Sequence, residues 1–133
     1  MKGQLSIEYI VIIGLVLIIL MPIVYLSWQY SQSTSQTTQV QSSLNTIIEA
    51  SNLVYSQGPG ARTRVLIYFP NNVNSTRIQG REVNIQLLVP GGTTDVFGLA
   101  NGNLTGNIST RSGQHVLRIE MLANATVNIS EGY

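Results

Sequence analysis

Eighteen consecutive residues, Tyr9 to Leu26 (YIVIIGLVLIILMPIVYL), carry no charge and no strongly polar side chain. As a helix rising about 1.5 Å per residue, the run is roughly 27 Å long, close to the ~30 Å hydrocarbon core of a bilayer. It is apolar on every side. Such a helix needs lipid around it, or a bundle of equally apolar helices. The expectation is both in succession: membrane first, assembly core afterwards.

What precedes the run is short. Met1-Lys2-Gly3 places the positive charge and the small residue ahead of the apolar segment. A secretory signal peptide has its small residues behind that segment. A cut after Gly3 therefore leaves the greasy helix on the mature chain. Lys2 is the only basic side chain before Arg62, so the positive-inside rule puts the N-terminus in the cytoplasm and the remainder outside. Pro22 lies inside the run, where proline removes one helix hydrogen bond. It is either a proline that a membrane helix tolerates or a weak point that lets the helix bend or melt on assembly.

Ser27 to Gln41 is polar and uncharged, but no Gly or Pro interrupts it. Val40, Leu44, Ile47, Ile48 and Val54 then recur at helical spacing. Gly58-Pro59-Gly60 is a firm stop. The pattern predicts one helix from Gln4 to Gln57, about 80 Å long, with an apolar stripe on its second half. Tyr25, Trp28 and Tyr30 mark the outer membrane interface, where amphipathic rings settle.

From Ala61 the period changes to that of strands. Runs are expected at Arg64–Phe69, Glu82–Val89, Thr93–Ala100, Asn103–Thr110 and Gln114–Leu122, with a weaker one at Thr126–Ile129 and a piece around Ile78 pairing with Glu82 onwards. Asn101-Gly102 reads as a hairpin turn signal. Short strands with turns at this spacing point to a small antiparallel sandwich or open barrel. The fold class is therefore α+β: residues 1–3 as a removable lead, 4–57 as a helix with 9–26 in the membrane or filament core, and 61–133 as an extracellular β domain.

Charged residues make up only 10% of the chain and the net charge is +1, against roughly 25% charged in ordinary domains. No basic run suggests a nucleic-acid partner. With no cysteine there is no thiolate metal site. His115 shares a strand face with core residues, and Asp95 reads as a turn or edge acid. Gly58-Pro59-Gly60 lacks the lysine and the preceding strand of a phosphate loop. No nucleophile–base pair or carboxylate pair stands out, so neither an enzyme nor a cofactor is expected.

Glu8 opens the apolar run, where a carboxylate costs on the order of 2.5–3.5 kcal/mol at mid-span and less near the edge. It either sits among headgroups or has a partner. Cleavage after Gly3 creates one, because the freed amine of Gln4 can pair with Glu8 of the same chain or of a neighbour. Breaking such a buried pair costs about 3–5 kcal/mol.

Gly3 followed by Gln4-Leu5-Ser6-Ile7-Glu8-Tyr9 and a hydrophobic helix resembles the class III signal sequence of archaeal type IV pilins. In that family a short lead ends in a small residue, and the processed chain opens with Gln, has Ser two places on and Glu at its fifth position. The resemblance covers about the first 25 residues. It makes Gly3 and Gln4 the processing site, and Ser6 and Glu8 the family serine and glutamate. It implies cleavage by a prepilin peptidase, a membrane-held subunit before assembly, and a helical homopolymer built by an assembly ATPase and a membrane platform protein. The sequence still carries the three-residue lead.

Asn74, Asn103, Asn107, Asn124 and Asn128 each open an Asn-X-Ser/Thr triplet without proline. Eleven asparagines in this composition give roughly two such triplets by chance, and all five lie in the expected outer domain. They are candidate N-glycosylation sites. The reading is a structural subunit of an archaeal adhesion pilus. The rivals are a minor or tip pilin, an archaellin of a motility filament, and a membrane-anchored extracellular binding module that never polymerises.

Overall fold

The computed structural model describes residues 2–132. Met1 of the lead and Tyr133 of the β domain lie outside the described residues. Helix α1 spans Lys2–Gln57, and the chain forms two compact units, 1–34 and 35–133.

The first unit is the leading part of α1. Ile and Val dominate it, and β-branched residues are mediocre helix formers in water. In lipid the weighting changes, because every backbone N–H and C=O must be satisfied within the segment. The helix runs through Pro22 without a break. The proline's missing N–H leaves the Ile18 carbonyl without its usual intrahelical donor.

The second unit holds the rest of α1 and seven strands. Val40, Leu44, Ile47 and Val54 are fully buried and Ile48 packs beside them, so the stripe read from the sequence is the docking stripe. Ser51, buried on the same stripe, bonds its hydroxyl back to the Ile47 carbonyl at 2.7 Å. The helix ends where Gly58 takes φ +91° and donates its N–H to the Val54 carbonyl at 3.2 Å. A side chain is strained in that left-handed conformation, which makes glycine the natural stop.

Strands β1 (Arg62–Phe69), β6 (Gly113–Met121), β7 (Thr126–Glu131) and β5 (Asn103–Gly106) form one sheet in the order β1-β6-β7-β5. Strands β2 (Val73–Gln79), β3 (Glu82–Val89) and β4 (Gly92–Leu99) form a three-stranded meander. Both sheets and the α1 stripe share one core, in which Phe69, Ile85, Leu87, Leu117, Ile119 and Ile129 are fully buried or nearly so. Thr76 on β2 donates its hydroxyl to the Ile108 carbonyl at 2.6 Å, tying the β2 edge to the chain just beyond β5.

The structure departs from the sequence reading in three places. The pairing is not wholly antiparallel, because β5 runs parallel to β7. The run expected to extend from Asn103 to Thr110 stops at Gly106, which has φ +119° and lies so close to the Ile129 carbonyl that a Cβ would overlap it. Ile108 then turns into the core instead of continuing the strand. Asn101-Gly102 is no hairpin, since β4 and β5 belong to different sheets. Gly102 lies against the Tyr55 ring, and the Asn101 N–H is held by Asn52 Oδ1 at 2.8 Å.

The piece around Ile78 is β2 and pairs with β3 as read. A fragment covering 35–133 is expected to unfold cooperatively in urea. Leu44→Ala should lower its stability by about 2–5 kcal/mol, the range for truncating a buried leucine.

Candidate functional site

Gly3, Gln4, Ser6 and Glu8 all lie on the first turns of α1, and all are exposed. Gln4 and Glu8 are four residues apart and therefore lie one above the other on one helix face. A cut between Gly3 and Gln4 would put the new amine one turn from the Glu8 carboxylate. A Cβ on Gly3 would meet nothing within 4 Å, so the bond after it is not crowded by the chain itself.

Beyond Glu8 the helix is bare. Its most apolar 18-residue window has a mean hydropathy of 2.9, and none of it is buried. The large side chains from Tyr9 to Leu26 are 46% to 74% exposed. Fully burying one aliphatic side chain is worth about 1.5–3 kcal/mol. Over such a stretch the drive to cover this surface exceeds the whole stability of a typical domain, about 5–15 kcal/mol. The helix is long and apolar enough to cross a membrane. Pro22 lies on this bare stretch. Tyr25, Trp28 and Tyr30 at its far end are exposed, and the Gln29 amide reaches the Tyr25 hydroxyl at 2.9 Å.

The five sequon asparagines do not lie together. Asn103 opens β5, Asn107 follows it, Asn124 sits in the β6–β7 turn and Asn128 lies on β7. The parallel pairing sets Asn103 opposite Thr126, and Thr105 opposite Asn128. Four of the five thus gather on the β5–β7 half of the four-stranded sheet. Asn74 stands apart on β2, with its amide donating to Gln86 Oε1 at 2.7 Å. Asn128 is half-buried, and the other four are exposed.

Sequence reasoning missed one polar cluster. His115, read as sharing a strand face with core residues, is only 4% exposed. Its Nδ1 lies 3.0 Å from Glu131 Oε1, and its Nε2 faces the Arg111 carbonyl. The same Glu131 oxygen accepts the Ser109 N–H at 3.1 Å, and the Phe69 ring lies 5.4 Å from the imidazole. Both ring nitrogens thus meet acceptors, and the cluster holds the loop after β5 against the end of β7. The signal was the alternation that put His115 on the inward face; nothing local pointed to Glu131, sixteen residues away. Asp95 is exposed on β4, an edge strand of the meander, so it is an edge acid as read. His115→Ala is expected to cost about 3 kcal/mol, because it leaves the Glu131 carboxylate without its buried partner. Urea unfolding of the variant checks this.

No curated protein and no solved structure matches the chain. Residues 2–25 match the family model described as the class III signal peptide. That match covers Gly3, Gln4, Ser6, Glu8 and nearly all of the apolar run. The N-terminal segment carries the signature of archaeal type IV pilins and archaellins, and it marks this chain as a secreted subunit of the pilin-like or archaellin-like kind.

Proposed function

We propose that this chain is the major structural subunit of an archaeal adhesion-type type IV pilus. One observation carries the reading: a helix apolar on every side, none of it covered by its own chain, behind a class III signal peptide. Before assembly the helix rests in the membrane with its N-terminus in the cytoplasm. A prepilin peptidase cuts between Gly3 and Gln4. The amine of Gln4 then pairs with Glu8 of the same chain or of a neighbour, which offsets the desolvation of both charges. An assembly ATPase and a membrane platform protein draw the subunit from lipid into a helical homopolymer.

The exchange is close to neutral for the apolar surface. Helices that lipid solvates well lose little by packing on one another, provided the contact is close. Ser6 is small and lies within a turn of Glu8 in the packed segment, projecting from another side of the helix. Pro22 supplies a place where the helix can bend or unwind as it enters the bundle. The β domains form the outer sleeve, and N-glycans at Asn74, Asn103, Asn107, Asn124 and Asn128 hydrate it.

An archaellin would share this architecture and processing. The Gln-x-Ser-x-Glu opening favours the pilus. A non-polymerising anchored module would not need Glu8, and this separates it from both filament readings. Mass spectrometry of surface-sheared filaments is expected to report a chain beginning at Gln4, with added mass at sequon asparagines. Glu8→Ala should cut filament yield roughly tenfold or more, in line with loss of a buried pair, while cleavage continues. A sheared chain that retains Met1–Gly3, or a Glu8→Ala strain with full filament yield, would count against the proposal.

A further inference from the structure

Between Glu8 and Arg62 the chain carries a single charge, Glu49. It projects from the exposed side of α1, away from the buried stripe, with Leu53 one turn on and 52% exposed. Among the described residues the contacts within 4 Å between a basic side chain and a carboxylate are His115–Glu131 and Arg118–Glu120, and neither involves Glu49.

Elsewhere in the same unit there is cationic surface to match. On the outer face of β1 and β6, Arg64 stands directly opposite Arg118. Like charges in that position repel. Arg62, Thr63, Arg64 and Arg118 line an open depression, and Glu120, 3.7 Å from Arg118, relieves only part of the charge. Next to it is the exposed cross-strand pair Leu66 and Val116, 58% and 40% exposed. An acid with a leucine on one surface thus has its counterpart, arginines with a leucine and a valine, on another.

The axial positions agree. The Ser43 hydroxyl on α1 donates to the Tyr68 carbonyl at 2.8 Å, which sets β1 level with the helix at that point. From Tyr68, β1 returns toward the helix end that the Gly58-Pro59-Gly60 turn joins to it. Glu49 lies about 9 Å along the helix from Ser43, and Arg64 about 14 Å along β1 from Tyr68 in the same sense. The two differ in height by about 5 Å, within reach of an arginine side chain. Within one copy no ion pair joins them among the described residues. An axial step of about that size between two parallel copies would bring the acid of one level with the arginine of the next.

We infer that Glu49 and Leu53 of one subunit seat against Arg64, Leu66 and Val116 of the next. The partner is a second copy of this chain, and the inference rests on the filament reading above. The contact is heterologous, and with an axial step at each copy it generates an open helical array rather than a closed ring. Arg62 and Arg118 supply the surrounding positive field.

The test is charge exchange in the full-length chain, expressed in cells that carry the assembly machinery. Sheared filament yield is read against the membrane pool of cleaved subunit. Glu49→Arg and Arg64→Glu are each expected to lower filament yield roughly tenfold, with cleaved subunit accumulating, and the double exchange to recover most of it. Because the chain has no cysteine, Glu49→Cys with Arg64→Cys gives a second readout: a bismaleimide cross-linker, which spans the gap that a Glu–Arg contact leaves and a disulfide cannot, yields a ladder of dimers and higher species from sheared filaments, absent from either single variant. Wild-type yield in both single reversals, a double exchange no better than the worse single, or intact cysteine-pair filaments without a ladder would overturn the contact. A wild-type chain that is cleaved and yields no filaments would overturn the filament reading itself, and this contact with it.

Discussion

The constraint on which the rest depends is apolar surface that the chain makes and does not cover. Core contributions from α1 begin at Val40, and the large apolar side chains from Leu5 to Leu26 stand exposed. No charge breaks the surface from Tyr9 to Leu26, and no polar stripe gives it a preferred orientation. A helix with one greasy side could be satisfied by docking on a single sheet. One that is greasy all round needs neighbours on every side, and only lipid or like helices provide them. The low charge of the whole segment follows, since each ionised group carried into that surrounding must bring its partner.

The helix, its stop and its docking stripe were legible in the sequence because their signals are local. Val40, Leu44, Ile47 and Val54 announce themselves by spacing, and Gly58 by the conformation it alone takes without strain. Strand existence was mostly legible as well, since alternation marks β3 and β6 clearly. Pairing was not. Whether β5 runs parallel to β7 is decided by the crossover at Asn101-Gly102 and by Ile108 entering the core, and neither leaves a periodic trace. Asn-Gly is a hairpin signal only where both flanking strands share a sheet; here Asn52 and Tyr55 on α1 claim the dipeptide instead. Of the candidate site, the class III signal peptide at 2–25 was readable from the order of its residues alone. The His115–Glu131 cluster joins residues that are neighbours only after folding.

The four-stranded sheet divides its outer surface between two chemistries. The β5–β7 half carries Asn103, Asn107, Asn124 and Asn128, with Thr105, Thr126 and Ser130 around them. The β1 half carries Arg62, Arg64 and Leu66, and among these there is no sequon. A bulky hydrated glycan and a close protein contact cannot occupy the same patch. The separation therefore leaves one half free to be crowded and the other free to be wet. Backbone pairing enforces this, because strand register fixes which side chains share a face.

The small hydroxyl of Ser43 has a mechanical consequence. It donates to the Tyr68 carbonyl and receives the Tyr68 N–H at 3.3 Å, so one side chain satisfies both outward backbone groups of that residue. Arg64 and Leu66 present theirs to the same open edge, where charge discourages further pairing. Helix and strand are thus clamped near one end and joined covalently by the Gly58-Pro59-Gly60 turn at the other. Tension entering along the helix axis passes into β1 as shear along its ladder to β6, the direction in which many backbone bonds must rupture together rather than one by one.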